Sequence, residues 1–338
     1  MLKNLFIREN LKWKEVKMMK KVFFQFLVAL TMLIVLASYS NAALIERGSW
    51  VGSYGVSQDG WGGTDNSGII SAEVPSGATV TAAYLYSGSF FTKNFSGVTL
   101  AGNPVALMEI GDTGGFLWSA VSDVTSIVKP TIDAGAGGIY DFAITDNSNI
   151  NGNALVVVYS LGSLPETTVA IMDGAQSFAG DSFALNFADP LNPADPSFFA
   201  RMALGIQHSC CSQKSNVIVN GATLTNNAGN LDDGESLANG SLITVGGIGD
   251  DLLNTNTYEG DDELYDLASF VTAGDTSINV FTENPSNDDQ IFIAVFHLFG
   301  RAGVNEPPPP DGVPEPATLI LLGSGLIGVG FARKRFKK

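Results

Sequence analysis

Two histidines and two cysteines are the chain's entire stock of imidazole and thiol metal ligands, and three of the four sit in "QHSCCSQK" as His208, Cys210 and Cys211. A His-x-Cys-Cys cluster could hold a metal through imidazole and thiolate, but zinc sites draw on spaced ligand pairs that this run lacks. In an oxidising compartment, Cys210 and Cys211 could instead close a vicinal disulfide or cross-link two chains. A vicinal bridge closes almost no loop, so it would stiffen a turn more than it would stabilise a fold. The other histidine, His297, lies in the apolar run "IFIAVFHLF" and reads as structural.

Hard ligands are more abundant. "NLDDGES", "GIGDD", "YEGDDELYD" and "NPSNDD" crowd the second half with carboxylates. Calcium takes several oxygen ligands from loops, and Asp261, Asp262 and Glu263 are the residues expected to offer them; no other cofactor is expected. "NSNING" spaces Asn147, Asn149 and Asn151 before Gly152, yet its twelfth position is Val158, where an EF-hand needs Glu. The alternative for all these acids is solvated turns.

Catalytic patterns are missing. The sequence holds no G-x-S-x-G elbow, no His-Glu-x-x-His and no phosphate-binding loop. Adjacent acids such as Asp232 and Asp233 say nothing about the separation that two carboxylates need across a glycosidic bond. The chain is therefore expected not to be an enzyme. Trp50, Trp61 and Trp118, with Phe90 and Phe91, could stack on sugar rings through their faces; packing in a core or at a sheet edge competes with that reading.

The elements that carry these residues must fold in a strongly acidic body. The 338 residues carry a formal charge of −16, and the ends are basic. Between Ala43 and Gly312 only six Lys and Arg face 31 Asp and Glu, a local charge near −25. Such a body repels nucleic acid, whose binding requires Lys and Arg to neutralise phosphates.

Each basic end has a purpose. Lys20-Lys21 precede an apolar run from Val22 to Ala37, then "SYSNAAL". Ser40 and Ala42 place small residues at −3 and −1 of a cut between Ala42 and Ala43, the pattern of a secretory signal peptide. The polar stretch before Met18 adds nothing to that pattern, so translation starting at Met18 or Met19 is compatible with it. A retained anchor is the alternative, although the apolar run is short for a span. At the other end, "PPPPDGVPEP" leads into 16 mostly apolar residues, Ala317 to Ala332, followed by Arg333, Lys334, Arg335, Lys337 and Lys338. As a helix those residues would reach about 24 Å, against the ~30 Å of a hydrocarbon core. Positive charge holds both ends on the cytoplasmic side, so the body between them is expected outside the inner membrane.

Val313-Pro314-Glu315-Pro316, the short Gly-containing span and the terminal Arg/Lys cluster resemble the PEP-CTERM sorting signal of Gram-negative bacteria. The resemblance covers about the last 26 residues. It implies recognition by an exosortase near Pro314, Glu315 and Pro316, then release to the cell surface or an exopolysaccharide matrix. The prolines keep the motif extended and readable above the bilayer. A plain C-terminal membrane anchor is the alternative.

The body reads as short β-branched and aromatic segments bounded by Gly, Asn, Asp or Pro. "ALVVVYSL" and "IFIAVFHLF" are apolar on both faces and are expected to be central strands; Tyr140, Phe142 and Ile144 alternate, which suits one wet face. Helical turns are expected only in "SDVTSIVK" and "ELYDLASFV". A weak repeat relates "AAYLYSG", "SGVTLAG", "SDVTSIV" and "ALVVVYSL" to "ARMALGIQ", "SNVIVNG", "YDLASFV" and "IFIAVFHLF", and Thr145–Leu161 align with Thr282–Leu298 without a gap.

The expected fold class is all-β, one or two tandem jelly-roll-like β-sandwich modules between an N-terminal signal helix and a single C-terminal transmembrane helix. The corresponding divisions are a signal segment (1–42), a lead-in (43–71), a first module (72–165), a second module (166–303), a Pro-rich stalk (304–313) and the sorting signal (314–338). The stretch "DDELYDLASFVTAGDTSINVFTENPSNDDQIFIAVF" is similar to bodies of other PEP-CTERM proteins, which implies no biochemical activity. The expected function is an exported structural or adhesive protein of the cell surface or extracellular matrix. A non-catalytic carbohydrate-binding module is the first rival and an extracellular hydrolase the second. The expected partners are the Sec translocon, signal peptidase, an exosortase and exopolysaccharide, with no nucleic acid and with transient inner-membrane insertion.

Overall fold

The computed structural model describes residues 44–63, 65–208, 214–229, 242–252, 263–285 and 289–306. The cut between Ala42 and Ala43, Cys210, Cys211, Asp261, Asp262, the sorting motif Pro314, Glu315 and Pro316, and both terminal apolar runs lie outside the described residues. No helix among the described residues is long and apolar enough to cross a membrane.

The first half comprises β1 (Leu44–Gly52), β2 (Tyr54–Gly62), β3 (Ser67–Val74), β4 (Thr79–Phe90), β5 (Thr99–Leu100), β6 (Asn103–Pro104), β7 (Met108–Thr113), β8 (Leu117–Asp123), α1 (Thr125–Asp133), β9 (Gly138–Thr145) and β10 (Ile150–Ser160). The second half comprises β11 (Thr167–Gly174), β12 (Asp181–Phe187), β13 (Ala200–Gln207), β14 (Ser215–Val219), β15 (Ala222–Ala228), β16 (Ile243–Val245), β17 (Leu264–Asp266), a 3₁₀ turn (Ala268–Phe270), β18 (Ser277–Glu283), β19 (Gln290–Phe299) and β20 (Ala302–Val304). The chain is all-β, and its strand pairings among the described residues are antiparallel. α1 and the 3₁₀ turn fall in the two segments expected to turn helically.

Four sheets result. The first half contributes β2-β10-β4-β8-β7 and β3-β9-β5-β6; the second contributes β1-β11-β19-β13-β16, with β17 also on β13, and β15-β14-β18-β12-β20. The orders correspond strand by strand: β2, β10 and β4 occupy the places of β11, β19 and β13, while β3, β9, β5 and β6 occupy those of β12, β18, β14 and β15. β1 breaks the symmetry. It opens the first half in sequence but pairs with β11 at the edge of the second half's sheet.

Three hydrophobic cores separate the sheets. Ile70, Leu85, Phe142 and Leu155 fill the space between the two sheets of the first half. Phe183, Met202, Val280 and Phe296 fill the corresponding space in the second. Tyr86, Val156, Val158, Val169, Ile171, Phe292 and Val295 form a core between the two halves, back to back.

This stacking explains the runs without polar alternation. Successive side chains of a strand point to opposite faces. On β10, Val157 and Tyr159 enter the first core while Val156 and Val158 enter the middle one. On β19, Ala294 and Phe296 enter the second core while Ile293 and Val295 enter the middle one. Both strands are central in their sheets, so neither face meets water. Each such Val, Leu or Ile contributes about 1.5–3 kcal/mol relative to exposure. Close approach of the halves also requires two glycines: a Cβ on Gly62 or Gly152 would stand 2.0 or 2.4 Å from Ile243 Cγ2.

Candidate functional site

Where the sheets of the two halves diverge, they leave a cleft of about 470 Å³. β2 supplies Val56, Ser57 and Gln58, and the end of β3 supplies Glu73 and Val74. Tyr159 comes from β10, Arg201 and Ala203 from β13, and Val295 and His297 from β19. Local bonds hold these walls in place. The Glu73 N–H donates to Ser57 Oγ at 2.9 Å, tying β3 to β2. The Ile248 N–H donates to the Gln58 carbonyl at 3.1 Å, pinning the turn after β16 against the same strand.

Arg201 and His297 are register partners on neighbouring strands. The Arg201 guanidinium lies over the Phe199 ring, 5.4 Å from its centroid, and the His297 ring meets Phe199 edge-on at 4.8 Å. Arg201 forms no ion pair with any described residue. In a body near −25, that leaves a guanidinium stacked on an aromatic ring and open to a ligand. Burial, and next the Arg201 charge, lower the His297 pKa to about 4, against a bond to the Tyr54 backbone. The imidazole is therefore neutral at ordinary pH, and its Nε2 has no hydrogen-bond partner among the described residues. Burial raises the Tyr159 hydroxyl above its ordinary range; Glu73 adds to that and Arg201 opposes it.

Of the candidates read from sequence that lie among the described residues, His297 reaches this cleft and the others do not. Trp61 is buried in the first core at 4% exposure. Trp50 packs against the middle core beside Tyr84, with ring centroids 6.5 Å apart. Trp118 is half-buried on β8. Phe91 is 73% exposed and has a φ of 58°, unusual for a non-glycine residue. Its neighbour Phe90 stacks on His208 at 3.9 Å and pairs with Leu117 on β8, beside the register position of Trp118. Glu263 is fully buried; its carboxylate accepts from the Gly229 N–H at 2.5 Å and from the Thr244 hydroxyl. Asn147 builds the β9–β10 turn, donating to the Ser96 carbonyl at 2.7 Å and accepting from the Asn149 N–H at 2.9 Å.

Sequence reasoning did not find Glu73, Tyr159 or Arg201. The one available signal was the scarcity of cations in the body, which makes each Arg a residue worth placing.

At the other end of the chain, the family model for the PEP-CTERM protein-sorting motif matches residues 312–335. This chain carries a PEP-CTERM sorting signal. A PEP-CTERM signal implies an exported, surface-sorted protein that transits a membrane and is processed by an exosortase. No curated protein matches this chain. Among solved structures, a β-porphyranase of glycoside hydrolase family 86 from the human gut bacterium Bacteroides plebeius aligns at 9% identity over 70% of this chain and 35% of its own, with a TM-score of 0.23. BuGH86 in complex with neoagarooctaose aligns at 9% identity over 79% and 35%, with a TM-score of 0.20. This chain thus spans about a third of either protein, and likeness at these TM-scores carries no argument.

Proposed function

We propose that the protein is a structural or adhesive component of the cell surface or extracellular polymer, whose cargo is a pair of duplicated β-sandwich modules. The observation that carries this reading is the sorting motif at residues 312–335. The basic leader and tail hold the ends inside, and the Sec translocon and signal peptidase pass the acidic body outward. An exosortase then cuts near Pro314, Glu315 and Pro316 and releases it to associate with exopolysaccharide.

The role is passive. Hydrolysis of a glycosidic bond commonly uses two carboxylates on opposite sides of the scissile bond, whereas Glu73 is the one carboxylate among the described residues lining the cleft. Deleting residues 314–338 should move the protein from the surface fraction to bulk periplasm or medium, read by fractionation and immunoblotting. An unchanged surface fraction would contradict the reading.

A further inference from the structure

We infer that the cleft between the two halves is a binding site for a neutral pyranose unit of a glycan. The argument starts from hydrogen-bond supply. Glu73, when ionised, only accepts, and Arg201 only donates; the Tyr159 and Ser57 hydroxyls and the Gln58 amide do both. Neutral His297 adds an Nε2 with no partner among the described residues. A sugar hydroxyl both donates and accepts. A ring of such hydroxyls is therefore the ligand that matches a mixed set of fixed donors and fixed acceptors in one cavity.

Two further features select a neutral sugar. Arg201 and Glu73 cancel in formal charge among the described lining residues, so these offer no net attraction to an ion. The surrounding body, near −25, repels polyanions at long range. The dimensions agree as well, since a cavity of about 470 Å³ falls inside the ~300–1,000 Å³ range of small-molecule sites. Val56, Ile248 and Leu264 are the partly accessible aliphatic residues among the polar groups of the lining and suit the C–H faces of a pyranose. The site joins both halves, because Glu73 and Tyr159 belong to one and Arg201 and His297 to the other. This inference rests on surface sorting only for its source of glycan.

The test is ligand-observed NMR on the purified full chain with methyl α- and β-glucosides, galactosides and mannosides, and with methyl glucuronide as the charged comparison. At least one neutral glycoside should bind. Its affinity should fall about tenfold or more in Arg201→Gln and in Glu73→Gln, each of which removes a charged hydrogen-bond partner. Both side chains belong to exposed residues, so neither change should disturb folding, which the melting temperature checks. Phe91→Ala, away from the cleft, should bind as the parent does. Binding by no neutral glycoside, equal binding by parent and both cleft variants, or tighter binding of the glucuronide would each overturn the inference. Sorting is read separately by fractionation, so a correctly sorted chain that binds no glycoside defeats the cleft assignment alone.

Discussion

Replacing Arg47 by alanine should cost the folded chain about 3 kcal/mol, the lower end of the loss expected when one partner of a buried ion pair is removed, because the Arg47 side chain is 29% exposed. Arg47 Nε stands 2.5 Å from Asp173 Oδ2, Nη2 donates to Oδ1 at 3.1 Å, and the Tyr86 hydroxyl donates to Oδ2 at 3.0 Å. The Asp173 side chain is only 1% exposed. Burial pushes its carboxyl upward, while Arg47 and then Tyr86 pull it back. Without the guanidinium, a carboxylate would remain in the middle of the molecule with a single phenol for support.

The position magnifies the effect. Arg47 lies on β1, Asp173 on β11 and Tyr86 on β4, so the cluster ties the N-terminal strand and both halves together. Native domains are stable by only about 5–15 kcal/mol, so the variant should lose a large part of its stability. Urea unfolding is the measurement. The triple variant Arg47→Met/Asp173→Leu/Tyr86→Phe should recover much of the loss, because apolar groups of similar volume leave neither a charge nor the buried Tyr86 hydroxyl stranded. A single variant within about 1 kcal/mol of the parent would show that water or local relaxation already satisfies Asp173.

How far the sequence reveals this architecture depends on how local each feature is. β10 and β19 were legible because a strand buried on both faces needs apolar residues at odd and even positions alike. The ungapped alignment of Thr145–Leu161 with Thr282–Leu298 also has a physical counterpart. Val156, Val157, Val158 and Tyr159 align with Ile293, Ala294, Val295 and Phe296, and each aligned pair faces the corresponding core.

The assignment of β1 to the second half's sheet was not legible. The residues "LIERGSWVG" pair with Thr167–Gly174, more than a hundred positions away, and nothing in a strand's own pattern states which edge it will join. The cleft was hidden for the same reason. Glu73, Tyr159, Arg201 and His297 are brought together by stacking of halves rather than by spacing in a motif. His297 looked structural because its strand is apolar, yet it stands near the end of that strand, where the middle core gives way to the opening. The tryptophans stayed open between two readings: a large ring in a short strand carries no mark of whether it faces a core or a ligand, and Trp61 takes the core packing that competed with sugar stacking.

The chain should be more stable near pH 5 than near pH 8, the reverse of ordinary acid denaturation. Burial pushes the Asp59 carboxyl up to about 7, with nearby Asp141 adding to the effect against bonds from the Ser71 and Gly60 backbone. Burial likewise takes Asp146 to about 7, although Asn153 Nδ2 donates to it at 2.7 Å. In the unfolded chain both carboxyls return to about 3.9. Between those values the folded state holds protons that the unfolded state has released, so stability falls as pH rises by up to about 1.4 kcal/mol per pH unit per group. The two groups together lose stability up to about pH 7 and little beyond it.

His297 works against them. Its pKa of about 4 in the fold lies below its ordinary 6.5, so the unfolded state binds the extra proton and stability rises with pH between those values. From about pH 4 to 6.5 one histidine offsets one aspartate, and above 6.5 both aspartates act unopposed. Glu46 and Asp181 are shifted up mainly by burial, the same direction as Asp59. Asp195, lowered by bonds from Ser197, goes the other way but is fully exposed. Repulsion within a body near −25 adds to the loss at high pH. Melting temperatures across pH 4–9 measure the slope, and Asp59→Asn should flatten it and raise stability at pH 8. A melting temperature at pH 8 equal to or above that at pH 5 would mean that Asp59 and Asp146 stay ionised in the fold, solvated well enough to keep their ordinary acidity.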